Sequence, residues 1–252
     1  MNKIYEFEHQ VIESIAQKWR YSIVLIEVFA GDQSGNGSGF IIGVDDRFYL
    51  FTCAHVVDLF YDRKVLIHRM DRLGTLNVDK LNLLAKDYVN DIAIFRITEP
   101  LKMASKICQI EMCTIRNFRR FKKSHYCVMG FPAELRETIG IRNEYTPIFY
   151  TTATSQIKLQ KTHKLVLEYP THKEIHELIR RKSKILPKAQ GFSGAAVVSI
   201  NMHPQKGQIW TSDDCKLIGI QYSTIKGKSV QVVSIKLALM HLSKYESGFL
   251  IS

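Results

Sequence analysis

Residues 35–58, GNGSGFIIGVDDRFYLFTCAHVVD, decide the fold of this chain. They combine a glycine-rich turn, two short apolar strands joined by a polar turn, and Ala54-His55 at the start of a short helix. A nucleotide-binding loop would need a helix directly after its glycines, but residues 40–42 continue as a strand. The stretch therefore predicts β-structure and argues against a phosphate loop.

Short apolar runs bounded by glycine and polar turns continue through most of the chain, a pattern typical of all-β proteins. The predicted strands of the first group cover residues 22–30, 39–44, 48–52, 64–69, 81–85 and 92–97. Those of the second group cover residues 125–130, 148–160, 164–169, 195–200, 216–222 and 229–233. We expect an all-β fold of two packed six-stranded antiparallel β-barrels.

Three segments have helical rather than β periodicity. An N-terminal helix is expected within residues 1–20 and a C-terminal helix within residues 234–252. A third helix, inserted at residues 171–184, is predicted from the spacing of Ile175, Leu178 and Ile179. The domain boundaries expected from this pattern give a first barrel at residues 21–115 and a second at residues 116–235.

The start of the chain and its cysteines bear on location. Acidic residues interrupt the first segment where a signal peptide needs an apolar core, and no apolar run is long enough for a membrane span. The five cysteines are odd in number and irregularly spaced, unlike a secreted disulfide framework. We expect a cytoplasmic protein that needs no metal ion or organic cofactor, and Cys108 and Cys113 lack a second pair for a zinc knuckle.

Basic residues outnumber acidic residues by 35 to 24, which gives a net charge of +11. Such a balance favours acidic partners or nucleic acid through long-range attraction. Much of the excess is concentrated in two short runs, near residues 116–123 and 180–188, and charge runs are usually solvated surface. Nucleic-acid binding is therefore kept only as a third hypothesis, to be tested by the salt dependence of binding.

Three residues of this chain can form a nucleophilic site if the fold brings them together. A serine hydroxyl needs a base to accept its proton, and the base needs a buried carboxylate to hold its tautomer. His55 and Asp91 belong to the first predicted barrel and Ser193 to the second, in KAQGFSGAAVVSI, residues 188–200. The amides of Gly191 and Ser193 could converge on the oxyanion of a tetrahedral intermediate.

The motif order resembles that of the trypsin-like serine proteases, most closely the intracellular, HtrA-like branch. The matching motifs are GSGFII (37–42), FTCAHVV (51–57), DIAIFRI (91–97), VMGFP (128–132), GFSGAAVV (191–198) and KLIGIQYST (216–224). The resemblance covers roughly residues 21–235 and implies a chymotrypsin-like double barrel with its cleft between the barrels. It also implies His55 as general base, Asp91 as its orienting group and Ser193 as nucleophile.

The nucleophile loop departs from the family pattern at Phe192, where the family usually has aspartate or asparagine. Activation by a freed N-terminus is therefore not expected, and the bulky ring needs a buried site of its own. The inserted helix just upstream is expected to gate the site.

The substrate-binding residues expected by position are a short set in two segments: Gln190, Gln221, Tyr222, Ser223 and Thr224. Neither segment contains a carboxylate, so a trypsin-like preference for arginine or lysine is not supported. A small or apolar side chain is expected, while Lys184 or Lys188 could instead favour an acidic one.

The leading hypothesis is a serine endopeptidase that cleaves a protein substrate through an acyl-enzyme. A catalytically silent binding module with a protease fold is the alternative. Because no prodomain is visible, we expect control by a regulatory protein partner or a conformational switch. The resemblance further suggests an effector of bacterial stress or defence.

Overall fold

A computed structural model gives the architecture of the chain. It describes residues 3–30, 33–60, 63–70, 74–109, 125–139, 142–145, 147–153, 163–169, 174–176, 183–185, 188–200, 211–212, 215–225 and 228–246. Two curled antiparallel sheets form half-barrels, with few helices. The predicted all-β double-barrel class is therefore confirmed.

The first half of the chain forms a helix followed by one sheet. Its elements are α1 (Lys3–Trp19), β1 (Ile23–Ala30), β2 (Gln33–Val44), β3 (Arg47–Thr52), α2 (Ala54–Asp58), β4 (Lys64–Arg69), β5 (Thr75–Leu76), β6 (Leu81–Asp87) and β7 (Ile92–Ile97). The strand order is β5-β4-β1-β2-β3-β7-β6. The sheet has seven strands instead of the six predicted, because two-residue β5 is too short to leave a periodic signal.

The second half forms another sheet and ends in a helix. Its elements are β8 (His125–Gly130), β9 (Arg136–Ile139), β10 (Arg142–Tyr145), β11 (Ile148–Ala153), β12 (Lys164–Glu168), β13 (Glu174–His176), β14 (Ser183–Ile185), β15 (Ala196–Ile200), β16 (Lys216–Ile225), β17 (Ser229–Ser234) and α3 (Ile235–Leu242). The main sheet has six strands in the order β11-β8-β15-β16-β17-β12. Both predicted terminal helices are present as α1 and α3.

The prediction of an inserted helix at residues 171–184 is wrong in the parts of this segment that the structure describes. Strands β13 and β14 pair antiparallel there, with Ile175 opposite Lys184. The prediction depended on three apolar residues, too few to distinguish a helix from a short strand, and β-branched Ile175 favours a strand. Leu178 and Ile179 lie outside the described residues.

The buried apolar residues of the strands form two clusters, one that joins the two sheets and one within the second sheet. Strand β7 is buried along almost its whole length, as expected for a strand covered on both faces. The larger apolar cluster joins the buried face of α1 to residues of both sheets, including Trp19, Phe40 and Leu217. A smaller cluster inside the second sheet contains Tyr150 and Phe192. No helix among the described residues is long and apolar enough to span a membrane.

Candidate active site

His55 and Asp91 form a two-point contact at one end of the first sheet. Strand β3 leads into α2, which carries His55, and the neighbouring strand β7 follows Asp91 directly. His55 Nδ1 lies 2.6 Å from Asp91 Oδ2, and the backbone N–H of His55 donates to Asp91 Oδ1 at 3.0 Å. Because Asp91 engages Nδ1, the other ring nitrogen, Nε2, is left to act as a base.

The Asp91 carboxylate also changes the pKa of the His55 imidazole. The hydrogen bond to Asp91 raises the pKa of His55 above its ordinary value, against the opposing effect of partial burial. The His55 side chain is 50% exposed and that of Asp91 is 19% exposed. The ring is thus open to a ligand while its orienting carboxylate is shielded. The structure thus brings together His55 and Asp91, two of the residues that sequence reasoning predicted for the site.

Ser193 lies in a tight loop that requires glycine on both sides. Gly191 and Gly194 both have φ of +92°, a conformation that residues with a side chain rarely adopt. A Cβ atom at Gly191 would lie 2.6 Å from the carbonyl oxygen of Phe131, and one at Gly194 would collide with that of Ser38. The glycines of the Gly-x-Ser-Gly motif are therefore steric requirements of the loop.

Backbone hydrogen bonds tie this loop to both sheets. The Ser193 carbonyl accepts from the Ser38 N–H at 2.7 Å, and the Gly194 N–H donates to the Gln221 carbonyl at 2.8 Å. The Ser38 hydroxyl donates to the Gly191 carbonyl at 2.9 Å. Ser38 belongs to β2 of the first sheet and Gln221 to β16 of the second, so the serine is held at their junction.

The two peptide units that carry the N–H groups of Gly191 and Ser193 have paired carbonyl groups. The Gln190 carbonyl accepts from the Ala133 N–H at 2.8 Å, and the Phe192 carbonyl accepts from the Ala195 N–H at 2.8 Å. In a trans peptide the N–H points opposite to the carbonyl, so the amides of Gly191 and Ser193 face away from those partners. Within the described part of the chain neither amide has an acceptor, which leaves two donors for a developing oxyanion.

Phe192, the departure from the family pattern, supports the loop from below. Its side chain is fully buried, and its ring packs edge-on against Tyr150 with 5.5 Å between centroids. Tyr150 in turn packs edge-on against Tyr169. The bulky ring thus anchors the loop in the second apolar cluster and stays out of the cleft.

A cavity of about 1040 Å³ contains all the predicted site residues. Its wall includes the following residues: His55, Asp91, Gly191, Ser193, Gln190, Gln221, Tyr222, Ser223 and Thr224. Among the contacts of the described residues, the side chains of Ser193 and His55 share no hydrogen bond. Such bonds are often long in unliganded enzymes and tighten when substrate binds.

Sequence reasoning missed several other residues of the cavity wall, above all Glu134. Its carboxylate accepts from the Lys188 N–H at 2.8 Å and lies 3.4 Å from Lys188 Nζ. Glu134 belongs to the turn that also supplies the Ala133 N–H to Gln190. Only its place two residues after the VMGFP motif could have indicated a role, since a single exposed glutamate in a turn has no other signal.

Cys53 lies beneath the His55–Asp91 pair. A ligating atom from each of the three residues lies within 4.8 Å of the others, the single such metal-compatible group in the described residues. The Cys53 thiol is buried and donates to the Gln221 carbonyl at 3.4 Å, and burial raises its pKa well above the ordinary value. Because metal binding needs a thiolate, this environment favours a structural thiol.

Comparison with known proteins places the fold. No protein-family model and no curated protein sequence matches the chain. Among solved structures, the chain is similar to the HtrA-type protease AlgW with tripeptide, with 18% identity over 95% of this chain and a TM-score of 0.55. A serine endoprotease from Yersinia pestis matches with 17% identity over 93% of this chain and the same TM-score.

The chain spans about two thirds of the length of these structures, 65% and 66% respectively. At this identity the comparison concerns the fold alone. The chain has the double-barrel fold of the HtrA-type, trypsin-like serine proteases. This fold agrees with the one that the order of the sequence motifs predicted.

Proposed function

We propose that this protein is a serine endopeptidase with His55, Asp91 and Ser193 as its catalytic triad. One observation carries the proposal: Asp91 holds His55 through the imidazole Nδ1 and the backbone N–H, and His55 shares a cavity with Ser193. The amides of Gly191 and Ser193 have no acceptor among the described residues. In this proposal Gly191 and Ser193 supply the oxyanion hole. Gln190, Gln221, Tyr222, Ser223 and Thr224 line the path of the substrate.

The reaction follows from the roles of these groups. His55 Nε2 accepts the Ser193 hydroxyl proton as Oγ attacks the scissile carbonyl, and the two amides stabilise the oxyanion. The imidazolium then protonates the leaving amine, which departs and leaves an acyl-enzyme. Water, deprotonated by His55, releases the acid and restores Ser193.

Incubation with an unfolded protein and a mixed peptide library tests the proposal directly. Wild type should produce new N-termini, while Ser193→Ala should produce none. Ser105→Ala is the matched control, since it removes an exposed serine hydroxyl that does not line the cavity. Absence of cleavage by folded wild type, with and without candidate partner proteins, would contradict the proposal.

The absence of a Ser193–His55 hydrogen bond favours one second candidate, a catalytically silent module that binds peptides in the same cleft. Such a module would bind library peptides with equal affinity in wild type and Ser193→Ala and would cleave none. Equal binding without cleavage in all conditions would establish this alternative.

Control of the site and its location are further parts of the proposal. We propose a cytoplasmic enzyme regulated by a protein partner. The cysteines are odd in number and irregularly spaced, and Cys53, Cys108, Cys127 and Cys215 are buried. This usage supports a reducing compartment. Activity that rises when a cellular partner protein is added would support the regulation.

A further inference from the structure

The turn that precedes Asp91 is organised by one carboxylate. Asp87 Oδ1 accepts from the backbone N–H groups of Val89 at 2.9 Å and Asn90 at 3.1 Å. Its other oxygen, Oδ2, accepts from Asn90 Nδ2 at 2.7 Å. Aspartate side chains often shape turns through such local bonds. Asp87 therefore fixes the path of the chain up to the residue before Asp91.

The same carboxylate is also bound from the far end of the chain. His241 Nε2 of α3 lies 2.8 Å from Asp87 Oδ2. Both side chains are mostly shielded from solvent, 21% exposed for His241 and 15% for Asp87. Helix α3 is itself anchored in the core by Ile235, Ala238, Leu239 and Leu242. A rigid helix thus holds one corner of the turn.

Asp91 depends on its surroundings for its conformation. Its φ is +57°, a left-handed conformation that is unfavourable for a residue with a side chain. Such a conformation persists only where neighbouring structure maintains it. Both oxygens of Asp91 are used by His55, so a small movement of the preceding turn would disturb two hydrogen bonds at once.

We propose that Asp87 and His241 are positioning residues that hold the turn presenting Asp91 to His55 and so couple the C-terminal helix to the catalytic pair. The inference rests on the proposed function for its catalytic meaning, although the contact itself can be tested without activity. His241 can donate from Nε2 as the neutral tautomer or as imidazolium. Burial disfavours the charged form of Asp87, but hydrogen bonds from Asn90 and His241 outweigh this effect and lower the pKa of its carboxyl.

The pKa of His55, measured by NMR titration of labelled imidazoles in the full chain, reports whether Asp91 is in place. Asp91→Asn gives the value for a lost carboxylate, and wild type should lie above it and above about 6.5. His241→Leu should move the pKa of His55 down toward the Asp91→Asn value. His241→Gln, whose amide can still donate to Asp87, should preserve most of the wild-type value.

Leu242→Ala is the matched control for simple loss of stability. It truncates a buried apolar side chain of the same helix that cannot donate a hydrogen bond to Asp87. It should therefore lower the melting temperature while the pKa of His55 stays unchanged. Asn90→Ala removes the side-chain hydrogen bond that the turn itself donates to the Asp87 carboxylate. It should lower the pKa of His55, as His241→Leu does. It decides the question if His241→Leu does not fold.

An unchanged pKa of His55 in folded His241→Leu, or an equal fall in Leu242→Ala, would overturn the inference. Peptide cleavage by the same proteins separates the two proposals. Wild type without cleavage, combined with a pKa shift in His241→Leu, would reject the proposed function and retain the positioning role. Cleavage by wild type without a shift of the His55 pKa in His241→Leu would support the proposed function and reject the positioning role.

Discussion

The two halves of the candidate site are held in different ways. On the first sheet, His55 is held by the Asp91 carboxylate, and the turn before Asp91 is held by the Asp87 carboxylate. On the second sheet, the Ser193 loop is held by backbone hydrogen bonds and by two glycines that have no room for a Cβ atom. One half therefore depends on charged side chains and the other on the shape of the backbone.

This difference predicts how each half responds to change. A side-chain substitution on the first sheet should alter the protonation and tautomer of His55 while leaving the backbone in place. A substitution that strains the Ser193 loop should displace the oxyanion donors themselves. The predictions below follow this division, from the largest expected effect to the smallest.

Asp91→Asn should have the largest effect, a loss in turnover on the order of 10⁴, because the asparagine amide would favour the wrong tautomer of His55. Steady-state kinetics on a cleaved peptide measures it. The reaction of Ser193 with a fluorophosphonate should slow in parallel, and the melting temperature of the protein should change little. A loss below about tenfold would show that Asp91 does not orient the base.

Gly191→Ala should reduce turnover by roughly 10² to 10³, the cost of removing one oxyanion donor. The added methyl group would press on the Phe131 carbonyl and the Ala133 amide and displace the Gly191 N–H. Gly74→Ala is the control, since Gly74 also has positive φ but has open space for a Cβ. If both variants lose turnover equally, backbone strain rather than the oxyanion donor is responsible.

Glu134→Ala should lower turnover roughly five- to tenfold, since the loop beside Gln190 would lose one hydrogen bond worth about 1 kcal/mol. Glu134→Gln keeps an acceptor for the Lys188 N–H and should stay near wild type. Lys188→Met removes only the exposed ammonium partner and should also have little effect. Comparable losses in all three variants would assign the effect to charge in the cleft.

The pH profile should show the smallest effect. Because Asp91 raises the pKa of His55, kcat/KM should fall with decreasing pH along a limb whose midpoint lies above about 6.5. The sign follows from the role of His55, since only the neutral imidazole can accept the serine proton. A midpoint at or below the ordinary histidine value would indicate that the Asp91 contact is absent in solution.

Local periodicity predicted most of the framework that carries the site. Strands β4, β7 and β8 begin and end at the predicted residues, since each is a compact apolar run between turn residues. Strands β3 and β7 are neighbours, which explains why motifs 36 residues apart, at His55 and Asp91, meet in one contact. The order of these motifs was therefore sufficient to predict the pair.

The parts that sequence reasoning missed depend on contacts without a local pattern. The His241–Asp87 contact joins residues 154 positions apart, and nothing in either neighbourhood distinguishes it from a surface pair. The link from Ala133 and Glu134 to the loop before Ser193 is made mainly through backbone groups, which every residue carries. The β13–β14 pairing was missed because three apolar residues are too few to establish a helical period.

Reaction of the full chain with a fluorophosphonate, followed by peptide mass spectrometry, tests most directly whether the two halves form one working site. Wild type should acquire a single adduct on Ser193, and both Ser193→Ala and His55→Ala should acquire none. A folded wild-type protein that stays unmodified, with and without candidate partners, or an adduct that persists in His55→Ala, would contradict the account.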